Sequence, residues 1–192
     1  LLAAAANLGL PAMSDLNGER EEGIGGFALM NQIIRDGRRM NMAQAYLYPV
    51  IDQPNITVLV KTQVTGLVIE GGKVVGVKAL RDGAEITLRA AREVVLSAGA
   101  IRTPQILMLS GIGDRDHLAE QGIASVLHAP QVGANFHDHI LHGGCIWESP
   151  DPVAIANSAA NASGFWKSDP SLDRPDMNIV QIELPYASDV VA

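Results

Sequence analysis

Residues 93–113 read EVVLSAGAIRTPQILMLSGIG, a stretch that predicts a strand, a turn of small residues and a capped helix. Val94, Val95 and Leu96 form the short, β-branched apolar run that a sheet covered on both faces requires. Ser97, Ala98, Gly99 and Ala100 follow, and small residues at the carboxyl end of a strand let another backbone or a flat ligand come close. Thr103 is placed as an N-cap and Pro104 as the first helical residue, where its missing N–H costs nothing. Ile106, Leu107 and Leu109 give the helix a buried side, and Ser110 with Gly111 stops it. A strand end meeting a helix start is the place where open α/β sheets bind ligands.

Upstream of this stretch, residues 55–69, 73–80 and 85–90 are rich in Val, Ile and Thr. Gly71-Gly72 and Asp82-Gly83 separate them, which predicts an antiparallel meander with two-residue turns. Residues 37–49 predict a turn and a short helix ending before Pro49, with Tyr46 and Leu47 packed in a core. The polar, glycine-rich run at 15–26 lacks both a preceding strand and the G-x-G-x-x-G spacing, so it is read as a loop. Downstream, residues 114–121 predict a helix with acids at its start, 123–127 a strand, and 130–139 a loop. Residues 150–175 are poor in aliphatics and are expected to be loop with partial helix, and 176–184 alternate as a strand does.

Composition narrows the function. A 192-residue chain with 47% hydrophobic residues can build one good core, or one domain and part of another. A net charge of −7 argues against nucleic acid as a partner, since phosphate binding needs a basic surface. Cys145 is alone, which excludes an internal disulfide and suits a cytoplasmic location. No apolar run approaches the roughly 20 residues of a membrane-spanning helix. The chain opens on LLAAAANLG, helix-prone and without an initiator Met, which is read as a piece of a longer protein.

Three segments resemble the glucose–methanol–choline (GMC) family of FAD-dependent oxidoreductases. Residues 99–113, GAIRTPQILMLSGIG, look like the family's second signature: a small residue, a Thr-Pro pair, two aliphatics and Ser-Gly-aliphatic-Gly at set spacings. Residues 37–49, GRRMNMAQAYLYP, are similar to another family segment, with Asn41 where the family has Ser. Residues 130–139, PQVGANFHDH, are similar to a third, with Phe136 in place of Leu.

The resemblance implies an α/β fold: part of a Rossmann-like FAD-binding domain over residues 1–141, carrying the β-meander at about 55–90 as an insertion. The start of an antiparallel α+β substrate domain over 142–192 would follow. It implies oxidation of an alcohol CH–OH group by hydride transfer to the flavin, with oxygen or a quinone-like compound as electron acceptor, closest to the choline dehydrogenase-like branch. By the same resemblance Val64 would hold the adenine end of FAD, Ala98, Gly99 and Ala100 would lie along the cofactor, and Asn135, Asp138 and His139 would stand near it. No residue here matches the family's catalytic His, so none is assigned to catalysis.

Rival readings are weaker. His137, His139 and His142 lie within six residues, with Asp138 between them and Cys145 beyond, so a metal-binding hydrolase or a binding module is the alternative. No second cluster supplies the remaining ligands at a known spacing. Ser110 is not a nucleophile elbow, because Met108 and Ile112 stand where that motif needs glycine. Trp147 and Trp166 are read as packing residues.

The family's pyrophosphate-binding fingerprint and its base are not among these residues. The isolated chain is therefore expected to bind FAD poorly and to show no turnover. Flavin absorbance measured on the purified 192-residue chain should be far below stoichiometric, and near-stoichiometric flavin would contradict this.

Overall fold

A computed structural model describes residues 1–18, 23–142, 145–146, 150 and 160–183. Among these the elements run α1 (Leu2–Asn7), β1 (Gly26–Leu29), β2 (Ile34–Arg35), β3 (Arg38–Arg39), β4 (Thr62–Glu70), β5 (Lys73–Arg81), β6 (Ala84–Arg89), α2 (Gly99–Leu109), β7 (Ile112–Gly113), α3 (Arg115–Glu120), β8 (Leu127–His128), β9 (Ala160–Trp166) and β10 (Met177–Ile182). They fall into two compact units, Leu1–Asp52 with Leu141–Ala192, and Gln53–Ile140. Trp147 and residues 151–159 lie outside the described residues.

The first unit is built on an antiparallel sheet of order β1-β9-β10. Strand β9 reads ANASGFW and occupies the centre, whereas its composition predicts part of a loop region at 150–175. Small side chains hide a strand from a hydrophobicity reading, and here they allow close packing. A Cβ at Gly164 would overlap the ring of Phe27, which faces it from β1 and stacks on Trp166 with centroids 6.3 Å apart. Buried Ser163 is satisfied, its Oγ donating to the Ile179 carbonyl at 2.9 Å and accepting from Asn178 Nδ2 at 3.0 Å. The predicted strand at 176–184 is β10.

Strands β2 and β3 form a hairpin whose turn, Asp36-Gly37, has φ of 51° and 69°. Both values are positive, as a two-residue turn matched to strand twist requires. The arginines around it are exposed, consistent with a solvated turn. Asn41 and Gln44 then bond reciprocally, the Gln44 N–H to Asn41 Oδ1 at 2.9 Å and the Asn41 N–H to Gln44 Oε1 at 3.3 Å, which secures the start of a π-helical turn at Ala43–Leu47. Tyr46 is 73% exposed in this unit, against the expectation that it packs in a core.

The second unit holds the meander as read from its turns: antiparallel β4-β5-β6, with positive φ at Gly71, Gly72, Asp82 and Gly83. Residues 55–61, expected to open the first strand, are outside it. Strand β4 carries a bulge between Val64 and Gly66, where the register slips by one residue. Leu67, Ala79, Ile106 and Leu118 are the buried apolar residues here.

Two expectations for the organising stretch need correction. Val94–Leu96 has no partner strand among the described residues, and Val95 is 76% exposed. An interior parallel strand is stable only between neighbours and under helices; in this unit parallel pairing is confined to β7 and β8. Likewise α2 starts at Gly99, not at Pro104. Gly99 turns the chain with φ of 85°, and the Thr103 hydroxyl reaches back to accept from the Ala98 N–H at 3.0 Å. The predicted helix at 114–121 is α3, capped by Asp114, whose carboxylate accepts from the N–H groups of Asp116 and His117. The His117 N–H bond is the chief cause holding the Asp114 pKa below its ordinary value.

The tightest of these contacts yields a prediction. Gly164→Ala forces the Phe27 ring out of its place on β9 and should cost about 1–3 kcal/mol in denaturant unfolding. An unchanged midpoint would mean that Phe27 does not lie over Gly164.

Candidate functional site

Helix α2 and the loop at 130–137 form two walls of an open cleft of about 530 Å³ within the second unit. Ala100, Thr103, Pro104 and Leu107 supply the helical wall, and the run from Val132 to His137 supplies the other. The two walls meet at Gly133, whose left-handed backbone turns the loop against the helix. A Cβ there would stand 3.4 Å from Met108 Cε and 3.6 Å from Pro104 Cβ, and the residue has φ of 76°. Two residues on, Asn135 takes φ of 57°, a left-handed conformation that Asn tolerates better than most side chains. This double reversal holds Phe136, 61% exposed, at the rim.

The start of α2 gives the cleft a polar end. The N–H groups of Gly99, Ala100 and Ile101, in the first helical turn, have no carbonyl partner within the helix and carry its partial positive charge. Pro104 has no N–H to offer the Ala100 carbonyl, so an acceptor is also left free of its helical partner. Ser97, Ala98, Gly99 and Ala100 are all exposed, and a Cβ at Gly99 would meet nothing within 4 Å. The arrangement combines apolar walls, a floor of small residues and oriented backbone dipoles. A flat aromatic ring system joined to an anionic group fits that set of surfaces.

Of the residues expected at the site, the cleft brings together Ala100 and Asn135, with Ala98 and Gly99 adjoining Ala100 in the chain. Val64 is not among its lining; it sits on β4 opposite Ala79, just before the bulge. Asp138 and His139 also stand outside it, with side chains 84% and 101% exposed, where the Asp138 carboxylate accepts from the His139 N–H at 2.7 Å. His137 lines the cleft, apart from the other histidines. Among the described residues no group of three or more His, Cys, Asp or Glu side chains is placed to hold a metal ion. Thr103, Leu107 and Gly133 are lining residues that the sequence reading had not given a site role. Gly133 had a signal, since it lies two residues before Asn135 in the matched loop.

Comparison with known proteins identifies the family. The family model described as GMC oxidoreductase matches residues 1–141. An uncharacterised GMC-type oxidoreductase of Mycobacterium tuberculosis is 37% identical over 203 aligned positions, covering 96% of this chain and 38% of the relative. Mitochondrial choline dehydrogenase of Homo sapiens is 35% identical, covering 92% of this chain and 33% of the enzyme. Among solved structures, pyridoxine 4-oxidase from Mesorbium loti superposes with a TM-score of 0.88 at 30% identity, covering 98% of this chain and 37% of that one. The chain thus spans little more than a third of the relatives it matches. Its fold is the α/β fold of that matched part of the oxidase, with the meander as described. With a family match over residues 1–141 and the whole described fold shared, the chain belongs to the GMC oxidoreductases, a family whose cofactor is FAD.

Proposed function

We propose that these residues work as the middle of a longer FAD-dependent enzyme that oxidises the CH–OH group of a small primary alcohol. The cleft between α2 and the 130–137 loop is the observation that carries this reading. We assign residues 1–141 to the FAD-binding domain and 142–192 to the start of the substrate domain. FAD, when bound, supplies the acceptor for a hydride leaving the alcohol carbon.

The chain's own residues then have binding and orienting roles. The exposed bend Ala98–Gly99–Ala100 gives a nucleotide room to lie against backbone, and the free N–H groups at the start of α2 offer donors to an anion. Pro104, Leu107, Val132 and Phe136 give the cleft an apolar side for a ring system to lie against. Asn135 presents a polar side chain at the turn of the loop. Val64, Asp138 and His139 keep the cofactor-proximal roles that the family resemblance gives them. No proton acceptor for the alcohol is assigned to this chain. An electron acceptor such as oxygen or a quinone-like compound completes the reaction, and the lone, exposed Cys145 supports a cytoplasmic setting. The relatives named choline dehydrogenase support the alcohol assignment.

Ala100→Leu in the full-length enzyme tests the reading. Ala100 is exposed and lines the cleft, so a larger side chain there should fill the cleft with little effect on folding. FAD affinity is expected to fall at least about tenfold, equivalent to about 1.4 kcal/mol, with the apoprotein's thermal midpoint unchanged. Unaltered flavin content would overturn the assignment.

A further inference from the structure

We infer that Ser110 is a positioning residue that locks the bulged strand β4 onto the last turn of α2. The inference rests on the reading above, in which one cofactor lies against both the start of α2 and the Val64 segment. Ser110 Oγ donates to the Ile106 carbonyl at 2.6 Å, one helical turn earlier in the chain. The same oxygen accepts the Leu67 backbone N–H at 2.8 Å, from a residue 43 positions away. Leu67 is a central residue of β4, paired opposite Val77 of β5, yet this N–H is spent on the helix.

The local geometry is shaped for this bond. Gly66 is buried, and a Cβ there would come to 3.5 Å from Ser110 Oγ, so no side chain intervenes between strand and hydroxyl. The bulge falls between Val64 and Gly66, immediately before the clamped residue. A bulge bends its strand and redirects the residues on either side. With Leu67 pinned, the path of the chain back through the bulge to Val64 is referred to α2. Gly111 follows at φ of 81° and turns the chain away, which leaves the Ser110 hydroxyl free to face the strand. Ser110 is not itself a lining residue of the cleft, so its effect on a ligand passes through the position of β4.

The clamp separates two readouts in the full-length flavoenzyme. Ser110→Ala removes the acceptor and should speed hydrogen exchange at the Leu67 amide about tenfold, while amides shared by β5 and β6 keep their rates. FAD affinity should fall about tenfold, yet the visible absorbance spectrum of flavin bound at saturation should stay as in the wild type, because the cleft itself is intact. Ser110→Thr keeps the hydroxyl and should restore both the exchange rate and the affinity. An unchanged Leu67 exchange rate in Ser110→Ala would overturn the inference. So would an equal loss in the alanine and threonine variants, or a spectral change at saturation, since either indicates general damage to the fold. Uptake of FAD by the wild type, read in the same titration, separates a failure of the proposed function from a failure of the clamp.

Discussion

The cleft depends on the close approach of the 130–137 loop to helix α2, made at a residue whose backbone is left-handed, with φ of 76°. Gly133 is that residue, with Pro104 and Met108 of the helix against it. A Cβ there would meet them at ordinary contact distance, but the left-handed backbone of the turn leading to Asn135 and Phe136 favours glycine. The helix contributes rigidity to this contact. Its first turn is organised by Gly99 and by the Thr103 hydroxyl, and its last turn by Ser110. Between them stand Pro104 and Met108, the apolar surface that Gly133 approaches.

Much of the second unit was legible in the sequence because its signals are local. Gly-Gly and Asp-Gly between β-branched runs specify two-residue turns, and the structure places positive φ at each of those four residues. Asp114 and Gly122 bracket a short helix for equally local reasons. The loop at 130–139 and the matched run at 99–113 led to the family, and the two segments do meet in one cleft.

What was not legible depends on distant partners. Strand β9 begins with five small or polar residues, Ala160 to Gly164, and its place between β1 and β10 makes them a strand. Phe27 and Trp166 are far apart in sequence and stack because Gly164 leaves room for the ring. In the opposite direction, Val94–Leu96 carries strong strand propensity but no strand pairs with it among the described residues, so propensity alone does not make the element. Pro104 suits a helix start, but a glycine five residues earlier turns the chain first and the helix begins there. The Ser110 bond joins residues 43 positions apart and has no signature in either segment taken alone.

The central claim is that the bend at Ala98–Ala100 and the loop at Asn135 border one nucleotide-bearing cofactor. An experimental structure of the full-length protein with FAD bound tests it most directly. The account predicts van der Waals contact, about 4 Å or less, between FAD and the backbone of this bend, with the Asn135 loop beside the same molecule. Flavin bound elsewhere, with the bend and the loop both remote from it, would contradict the account.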